Sequence, residues 1–320
     1  MKKDKHQTVP NVLKRLAHIL GTEIKNSRLE IPEKFGKGYC AGFVFNEHIR
    51  MLILNYKLNE DLVVENPDII ASGRMILFKF HNILPLSEPV LKGMQSKPIP
   101  SVLIATSNMN TEVIIPIDTH TASINIEVDA NYLNGLFDSS KISPVLQSLL
   151  QNTQPLLFEQ MMYPFLQKIV DEIVTESVHE TFKLFFMRIK AEELICRLLM
   201  ELEKRDEKHL YALNSQDIQS IYTIKGQMLE HPETPPVINE LAVCANMSPT
   251  KLKRLFRQIF GNSIFSYYQE FRMKEAARLL KVEKLSVSDV GYKLGFTNLS
   301  HFSRVFNEHI GMKPKQYSRS

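Results

Sequence analysis

Residues 252–261 read LKRLFRQIFG, and residues 302–311 read FSRVFNEHIG. The two stretches match at an offset of fifty positions, which pairs Arg254 with Arg304 and Phe256 with Phe306. A solenoid needs three or more repeats to bury a continuous core. Two copies therefore indicate a duplicated module within one domain.

Each copy follows a short helical stretch that ends in a tight turn. These stretches are residues 239–248, NELAVCANMS, and residues 286–296, SVSDVGYKLGF. We expect a positive φ at Asn246 and Gly295, while the small residues Ala242 and Gly291 allow a second helix to cross closely. Two helices joined by such a turn form a helix-turn-helix, whose second helix enters the major groove of DNA.

The second helix of each module has one apolar and one polar face. In the first copy, apolar residues recur at i, i+3, i+4 and i+7, which predicts a buried stripe. The opposite faces carry Thr250, Lys251, Lys253, Arg254 and Arg257 in one copy and Asn298, Ser300, His301, Ser303 and Arg304 in the other. Such side chains suit base edges and phosphates. One basic face alone is as easily a solvated surface, but two in register favour DNA binding.

A helical stretch, residues 263–284, separates the two modules. Ser263 is a suitable N-cap, and Phe271, Ala276 and Leu279 lie on one face. About 18 helical residues span about 27 Å, at about 1.5 Å per residue. A rod of that length sets two recognition helices about one duplex turn apart, near 34 Å, so that they enter consecutive major grooves.

Residues 287–317, VSDVGYKLGFTNLSHFSRVFNEHIGMKPKQY, closely resemble the signature of the AraC/XylS family of bacterial transcription regulators. The resemblance covers residues 216–320 and implies a seven-helix DNA-binding domain with two helix-turn-helix units. It places the base contacts on Thr250, Lys253, Arg254, Ser300, Ser303 and Arg304. Lys251, Arg257, Asn298 and His301 then remain as the predicted phosphate contacts. Many members carry a bulky or amide side chain where Thr250 and Ser300 stand, so the base preference does not carry over.

Charge is unevenly distributed along the chain. Residues 215–320 hold 15 Lys and Arg against 9 Asp and Glu, a net charge of +6, whereas residues 1–214 hold 24 against 26, a net charge of −2. Lys and Arg that neutralise phosphates release counterions, so we expect binding to weaken as salt rises.

The three cysteines and the hydropathy indicate the compartment. Cys40, Cys196 and Cys244 are widely spaced and form no CxxC pair, which indicates a reducing compartment. The sequence has no signal-peptide core and no run of about 20 apolar residues that would span a bilayer. We predict a bacterial cytoplasmic, nucleoid-associated protein without a membrane partner.

Residues 28–130 consist of short runs rich in β-branched and aromatic residues, separated by turn residues. Seven or eight such strands predict an antiparallel sandwich or barrel, and the resemblance implies a β-rich, often cupin-like effector domain. The predicted class is α+β with two domains. They are a β-rich effector and dimerisation domain with C-terminal helices at 1–207, a linker at 208–215 and the DNA-binding domain at 216–320.

The interior of a barrel offers room for a small-molecule effector in a mostly apolar pocket. The predicted lining residues are Phe43, Phe45, Met51, Phe78, Phe80 and Ile115. The alternative is that these side chains simply fill the interior, as in small closed barrels. The sequence does not decide between the two.

Candidate metal ligands lie in the same region. They are His48, His81 and His120, with Glu47, Glu112 and Glu127 nearby. Three histidines suffice for iron or zinc, but no His-x-His pair is followed by Glu, and isolated histidines are more often structural. We predict no metal and no cofactor. With no Ser/His/Asp order and no phosphate loop, we also predict that the protein is not an enzyme.

Helical stretches are predicted at residues 12–20, 143–151, 161–177 and 179–207. The last has a wide apolar stripe through Leu184, Met187, Ala191, Leu194, Leu198 and residues 200–202, which normally belongs to the core of its own domain. Alternatively, part of it pairs with the same helix of a second copy, because twofold contacts are the commonest mode of assembly. The family often dimerises through helices placed here, and we predict a homodimer.

The predicted function is a sequence-specific transcription regulator, a ligand-responsive activator that binds two consecutive major grooves. Its predicted partners are promoter DNA, RNA polymerase, a small-molecule effector and a second copy of the chain. Two alternatives remain: a cupin-type metalloenzyme with a DNA-binding tail, and a signal-independent DNA-binding protein.

Overall fold

In the computed structural model the chain forms two compact units, Met1–Ser215 and Gln216–Ser320. The structure describes residues 9–59, 74–84, 100–106, 120–138, 140–207 and 209–319, with the backbone alone for His120. Within these ranges, no helix combines the length and the apolar character needed to cross a membrane.

The first unit contains an antiparallel sheet whose seven strands run in the order β1-β2-β3-β6-β4-β5-β7. The strands are β1 (Arg28–Glu30), β2 (Gly36–Val44), β3 (Ile49–Leu58), β4 (Met75–His81), β5 (Ser101–Thr106), β6 (His120–Asp129) and β7 (Leu157–Met161). The predicted antiparallel sheet and the α+β class are confirmed. The predicted strands at 61–65 and 111–117 lie outside the described residues.

One face of the sheet forms the main core of the first unit. Ile126 of β6 pairs with Met51 of β3 and Phe78 of β4, so all three side chains lie on that face. Four helices pack against it: α2 (Ala130–Asn134), α3 (Pro144–Gln151), α4 (Pro164–Thr175) and α5 (Glu180–Glu203). On the opposite face, α1 (Asn11–Leu20) covers β2 and β3 through Leu13, Ala17 and Leu20.

The residues predicted to line a ligand pocket pack in this main core. Phe43, Met51, Phe78 and Phe80 are buried within one hydrophobic cluster, and the partly buried Phe45 packs against it. Ile115 lies outside the described residues. Their apolar side chains face the helices because the alternation of β2, β3 and β4 directs them there.

The chain around residue 160 differs from the prediction. Residues 157–161 form strand β7, which pairs with β5 from Ser101↔Met161 onward, and α4 begins only at Pro164. Strand β7 was missed because a short apolar run fits a strand and a helix equally well. Phe165, in the first turn of α4, is 40% exposed and stacks on Tyr163.

The described residues contain no group of three or more His, Cys, Asp or Glu side chains arranged to hold a metal ion. His48, one of the candidate ligands, stacks on Tyr132 with ring centroids 4.8 Å apart. Glu127 instead forms an ion pair with Arg50.

Residues 215–319 contain seven helices, the number that the resemblance implied for the DNA-binding domain. They are α6 (Ser215–Glu230), α7 (Ile238–Cys244), α8 (Pro249–Phe260), α9 (Ile264–Lys281), α10 (Val287–Lys293), α11 (Leu299–Ile310) and α12 (Pro314–Tyr317).

Candidate nucleic-acid interface

The first module consists of α7, a tight turn and α8. Asn246 adopts φ +52° in the turn, as predicted, and the Met247 amide donates to the Ala242 carbonyl at 3.0 Å. Ser248 caps α8, because its hydroxyl accepts from the Lys251 amide at 3.2 Å, and Pro249 occupies the first turn. The helix therefore begins at a fixed residue, which sets the direction of its side chains.

The second module repeats this arrangement with α10 and α11. Gly295 adopts φ +76°, and the Phe296 amide donates to the Gly291 carbonyl at 2.9 Å. A Cβ on Gly291 would lie 2.6 Å from Leu299 Cδ2 and 3.4 Å from Phe302 Cδ1, so the glycine lets these side chains of α11 approach closely. The close helix crossing predicted at Gly291 is confirmed.

The fifty-residue offset is reproduced in the packing. Phe256 of α8 meets Tyr267 edge-on with ring centroids 5.6 Å apart, and Phe306 of α11 meets Tyr317 in the same way at 5.6 Å. Both phenylalanines are fully buried. Each recognition helix is thus fixed in its module by an equivalent aromatic pair.

The polar faces of α8 and α11 are directed away from these cores. The exposed side chains are Thr250, Lys253, Arg254, Arg257, Ser300, His301 and Arg304, while Ser303 is half-buried. The buried stripe of α8 is Leu252, Leu255, Phe256 and Ile259, as predicted. The predicted base-contacting residues therefore lie on the outer faces of two equivalent helices.

Two of the predicted phosphate contacts have partners within the unit. The Lys251 ammonium lies 2.7 Å from the Asp217 carboxylate of α6. Asn298 is the N-cap of α11, and its side-chain oxygen accepts from the amides of Ser300 and His301 at 2.9 and 3.1 Å. Neither the Lys251 ion pair nor the Asn298 cap was predicted from the sequence. The position of Asn298 directly before the helix is a signal for an N-cap.

The spine between the modules is α9, 18 residues long. Ser263 caps it as predicted, since its hydroxyl accepts from the Ser266 amide at 3.1 Å. Phe271, Ala276 and Leu279 are buried. At 1.5 Å per residue the spine is about 27 Å long.

This arrangement of helices is similar to domains of known proteins. A model described as a helix-turn-helix domain matches residues 241–320. The HTH-type transcriptional regulator GbdR of Pseudomonas aeruginosa is 33% identical over 108 residues, which cover 34% of this chain and 29% of that protein. Residues 241–320 form an AraC-type helix-turn-helix domain.

Two further similarities involve the AraC-type domain. The arabinose operon regulatory protein of Escherichia coli is 35% identical over 71 residues, covering 22% of this chain and 24% of that protein. The solved structure of a transcriptional regulator of Chromobacterium violaceum, described as containing an AraC-type DNA-binding domain, is 26% identical. That match covers 33% of this chain and 95% of the other, with a TM-score of 0.31. The chain thus spans less than a third of the length of the two regulators compared by sequence.

Proposed function

We propose that this protein is a sequence-specific DNA-binding transcription regulator. The observation that carries the proposal is the pair of equivalent helices α8 and α11, each with a buried apolar stripe and an exposed polar face that includes an arginine. Arginine reads guanine through two hydrogen bonds in the major groove. The net charge of +6 over residues 215–320 favours the phosphate backbone.

We propose that both helices bind the same duplex in consecutive major grooves. The support is the length of α9, about 27 Å, which is close to the roughly 34 Å between equivalent major-groove positions. Arg254 and Arg304 would then read bases in two half-sites about one turn apart.

Selection from a random duplex library tests both proposals. We expect the full-length protein to enrich a site with two half-sites whose centres are about 10 to 11 base pairs apart. Failure to enrich any sequence over bulk DNA would contradict the regulator. Enrichment of a single short half-site would contradict only the two-groove arrangement.

We propose that the protein is a homodimer that pairs through α5. This helix is apolar on two opposite sides. Met187, Ala191, Leu194 and Leu198 are buried in the core of the first unit. Phe182, Phe185 and Met200, at 62%, 65% and 54% exposure, continue with Ile189 and Cys196 along the other side.

Such an outward stripe favours a second copy as its partner. Its members recur at spacings of three, four and seven residues, as the contact positions of paired helices do. Pairing of two α5 helices would remove the phenylalanines from water in both copies at once.

Sedimentation equilibrium of the Phe185→Glu variant tests the dimer. We expect wild type to sediment as a dimer and the variant as a monomer. Leu136→Glu is the matched control, because Leu136 is 59% exposed in the same unit but does not lie on α5. A monomeric wild type, or equal dissociation by both variants, would contradict pairing through α5.

We propose that the first unit responds to a small molecule bound on the sheet face opposite the main core. Ser123 and Asn125 are neighbours on that face of β6. Ser123 Oγ and Asn125 Oδ1 are buried, and neither has a hydrogen-bond partner among the residues that the structure describes. A buried polar atom without a partner costs about 1 to 3 kcal/mol, and a polar ligand that bonds to both would recover it.

Thermal unfolding with a panel of polar metabolites tests the effector. A compound that binds only the folded protein raises the midpoint. We expect at least one such shift in wild type and its loss in Asn125→Ala, whereas Asn307→Ala on the second unit should retain it. Absence of any shift would favour the signal-independent alternative.

A further inference from the structure

A helical spine joined only at its ends would leave the two modules free to rotate and bend relative to each other. Separate contacts must therefore fix their orientation if both recognition helices are to meet one duplex without adjustment. Such contacts lie at the middle of α9, around Arg272.

Arg272 is a buried cation that contacts the turn of the second module. Its Nη2 donates to the Leu294 carbonyl, directly before Gly295. The guanidinium carbon lies 4.0 Å from the ring centroid of Phe296, directly after Gly295. One side chain thus holds the turn from both sides.

The same guanidinium is also held by the spine. Its Nη1 donates to Gln269 Oε1 at 2.7 Å, and the Tyr268 ring centroid lies 5.0 Å from the guanidinium carbon. Burial disfavours the charged form and lowers the pKa of Arg272. A planar guanidinium can stack on a ring while it donates within its plane, whereas a lysine ammonium has no planar face to stack.

The loop that leads into the first module reaches the same place. The Tyr268 hydroxyl donates to the Pro232 carbonyl at 2.7 Å. A Cβ on Gly295 would come within 2.9 Å of the carbonyl carbon of Glu233 and overlap its oxygen. The loop between α6 and α7 is therefore packed between the spine and the turn of the second module.

We infer that Arg272 is a positioning residue that locks the two helix-turn-helix modules in one orientation, with Tyr268 and the Pro232–Glu233 loop as its supports. The consequence rests on the proposed two-groove binding: the spacing of the half-sites is imposed by the protein, and the DNA must adjust to it.

Distances between spin labels test the lock without DNA. Labels are placed at Lys253→Cys and Asn307→Cys in full-length protein that carries Cys196→Ser and Cys244→Ser, since Cys40 is buried and unreactive. We expect a narrow distribution of label distances in wild type. In Arg272→Met the distribution should be at least about twice as wide, because without this contact the second module can move relative to the first.

Arg278→Met is the matched control. Arg278 lies on the same spine, but it forms ion pairs with Glu275 and Glu283, which lie outside the second module's turn. Its distribution should remain as narrow as that of wild type. Tyr268→Phe, which removes only the hydroxyl contact with the loop, should broaden the distribution less than Arg272→Met and covers the case in which Arg272→Met fails to fold.

Half-site spacing tests the consequence on the site selected by wild type. Insertion of two base pairs should lower wild-type affinity about 100-fold. The second module then cannot reach its half-site while the first is bound, so the gain from binding both half-sites at once is lost. In Arg272→Met we expect a loss below about fivefold on insertion, with affinity for an isolated half-site within about twofold of wild type.

The outcomes separate the two levels of the argument. The lock would be overturned if the label distances were distributed equally narrowly in wild type and in a folded Arg272→Met. It would also be overturned if insertion of two base pairs lowered the affinity of both proteins equally. Loss of half-site affinity in Arg272→Met would reduce Arg272 to a stabilising residue. If wild type selects no DNA, the proposed function fails while the label distances still decide the lock.

Discussion

The Lys251 ammonium of the first recognition helix lies 2.7 Å from the Asp217 carboxylate of α6. The carboxylate is the more buried partner, at 15% exposure against 40% for the lysine side chain. The ion pair thus ties the first helix of the second unit to α8. It also neutralises the Lys251 charge, which we predicted from the sequence to contact a DNA phosphate.

Replacement of Asp217 by Asn should strengthen binding to DNA of any sequence. Lys251 would be released to contact a phosphate and displace one more counterion. We expect the slope of log affinity against log salt to steepen by about 0.9, with a gain of severalfold at low salt. Fluorescence anisotropy on unrelated duplexes over a salt series measures this slope.

Glu230→Gln is the control for Asp217→Asn. It removes one negative charge from the exposed end of the same helix without releasing Lys251. An equal steepening in both variants would mean that net charge alone explains the effect, and an unchanged slope in Asp217→Asn would mean that Lys251 does not reach a phosphate.

Local signals predicted much of the second unit. The positive φ at Asn246 and Gly295, the Ser263 cap and the buried stripe of α8 each depend on residues within a turn or two of the chain. The Lys251–Asp217 pair joins residues 34 apart, and no periodicity brings them together. The same holds for Arg272, whose exposed-looking position on a polar helix gives no sign that it is buried against the Leu294 turn.

Replacement of Arg254 or Arg304 by Ala should relax base preference at one position of the selected site. An arginine that reads guanine contributes about 1 to 3 kcal/mol of discrimination, so specific affinity should fall by that amount. Repeated selection with each variant locates the relaxed position. The two variants should relax positions in different half-sites.

Lys274→Ala is the matched control for these two variants. Lys274 pairs with Glu270 along the spine at 3.0 Å and lies on neither recognition helix. It should leave the selected sequence unchanged. If Arg254→Ala and Arg304→Ala also select the wild-type sequence, the assignment of the readers is wrong.

In the first unit, sequence patterns predicted the sheet but not which apolar side chains are buried. Alternation of apolar residues predicted the antiparallel sheet, but it left open whether Phe78 and Phe80 line a pocket or fill the interior; both are packed in the core. A stripe on α5 was expected on one side. The helix exposes Phe182 and Phe185 opposite its buried side, and a single period cannot represent two apolar faces.

The glycines that end two tight turns should differ in their tolerance of alanine. Gly295 and Gly311 both have φ near +80°, at +76° and +83°, so alanine costs backbone strain of about 1 to 2 kcal/mol at either position. A Cβ at Gly311 meets nothing within 4 Å, whereas at Gly295 it overlaps the Glu233 carbonyl.

Gly295→Ala should therefore destabilise the second unit by at least about 1 kcal/mol more than Gly311→Ala, as overpacking does. Urea unfolding of both variants measures the difference. Equal losses would show that the Glu233 loop moves aside at no cost, and would weaken the packing on which the Arg272 lock depends.

The three thiols should react at very different rates. Burial, with a smaller contribution from Glu30, raises the pKa of Cys40 from 9.0 to about 12. At pH 8 only about one molecule in ten thousand then carries the reactive thiolate. Cys196 and Cys244 are exposed. A chromogenic disulfide reagent should titrate Cys244 at once and Cys40 only after unfolding.

The raised pKa also makes stability depend on pH in a defined direction. The neutral thiol is favoured in the folded state, so its contribution is complete below pH 9 and is lost as pH rises from 9 to about 12. The Cys40→Ala variant should lack this part of the decline in unfolding free energy. Identical pH profiles for the variant and wild type would contradict the burial of a neutral thiol.

Cys196 gives the same titration a second use. It lies on the outward stripe of α5 with Phe185, so pairing of two helices would slow its reaction even though it is exposed in a single chain. Phe185→Glu should then accelerate Cys196 while leaving Cys244 unchanged. A Cys196 that reacts as fast as Cys244 in wild type at any concentration would mean that the stripe is not covered by a second copy.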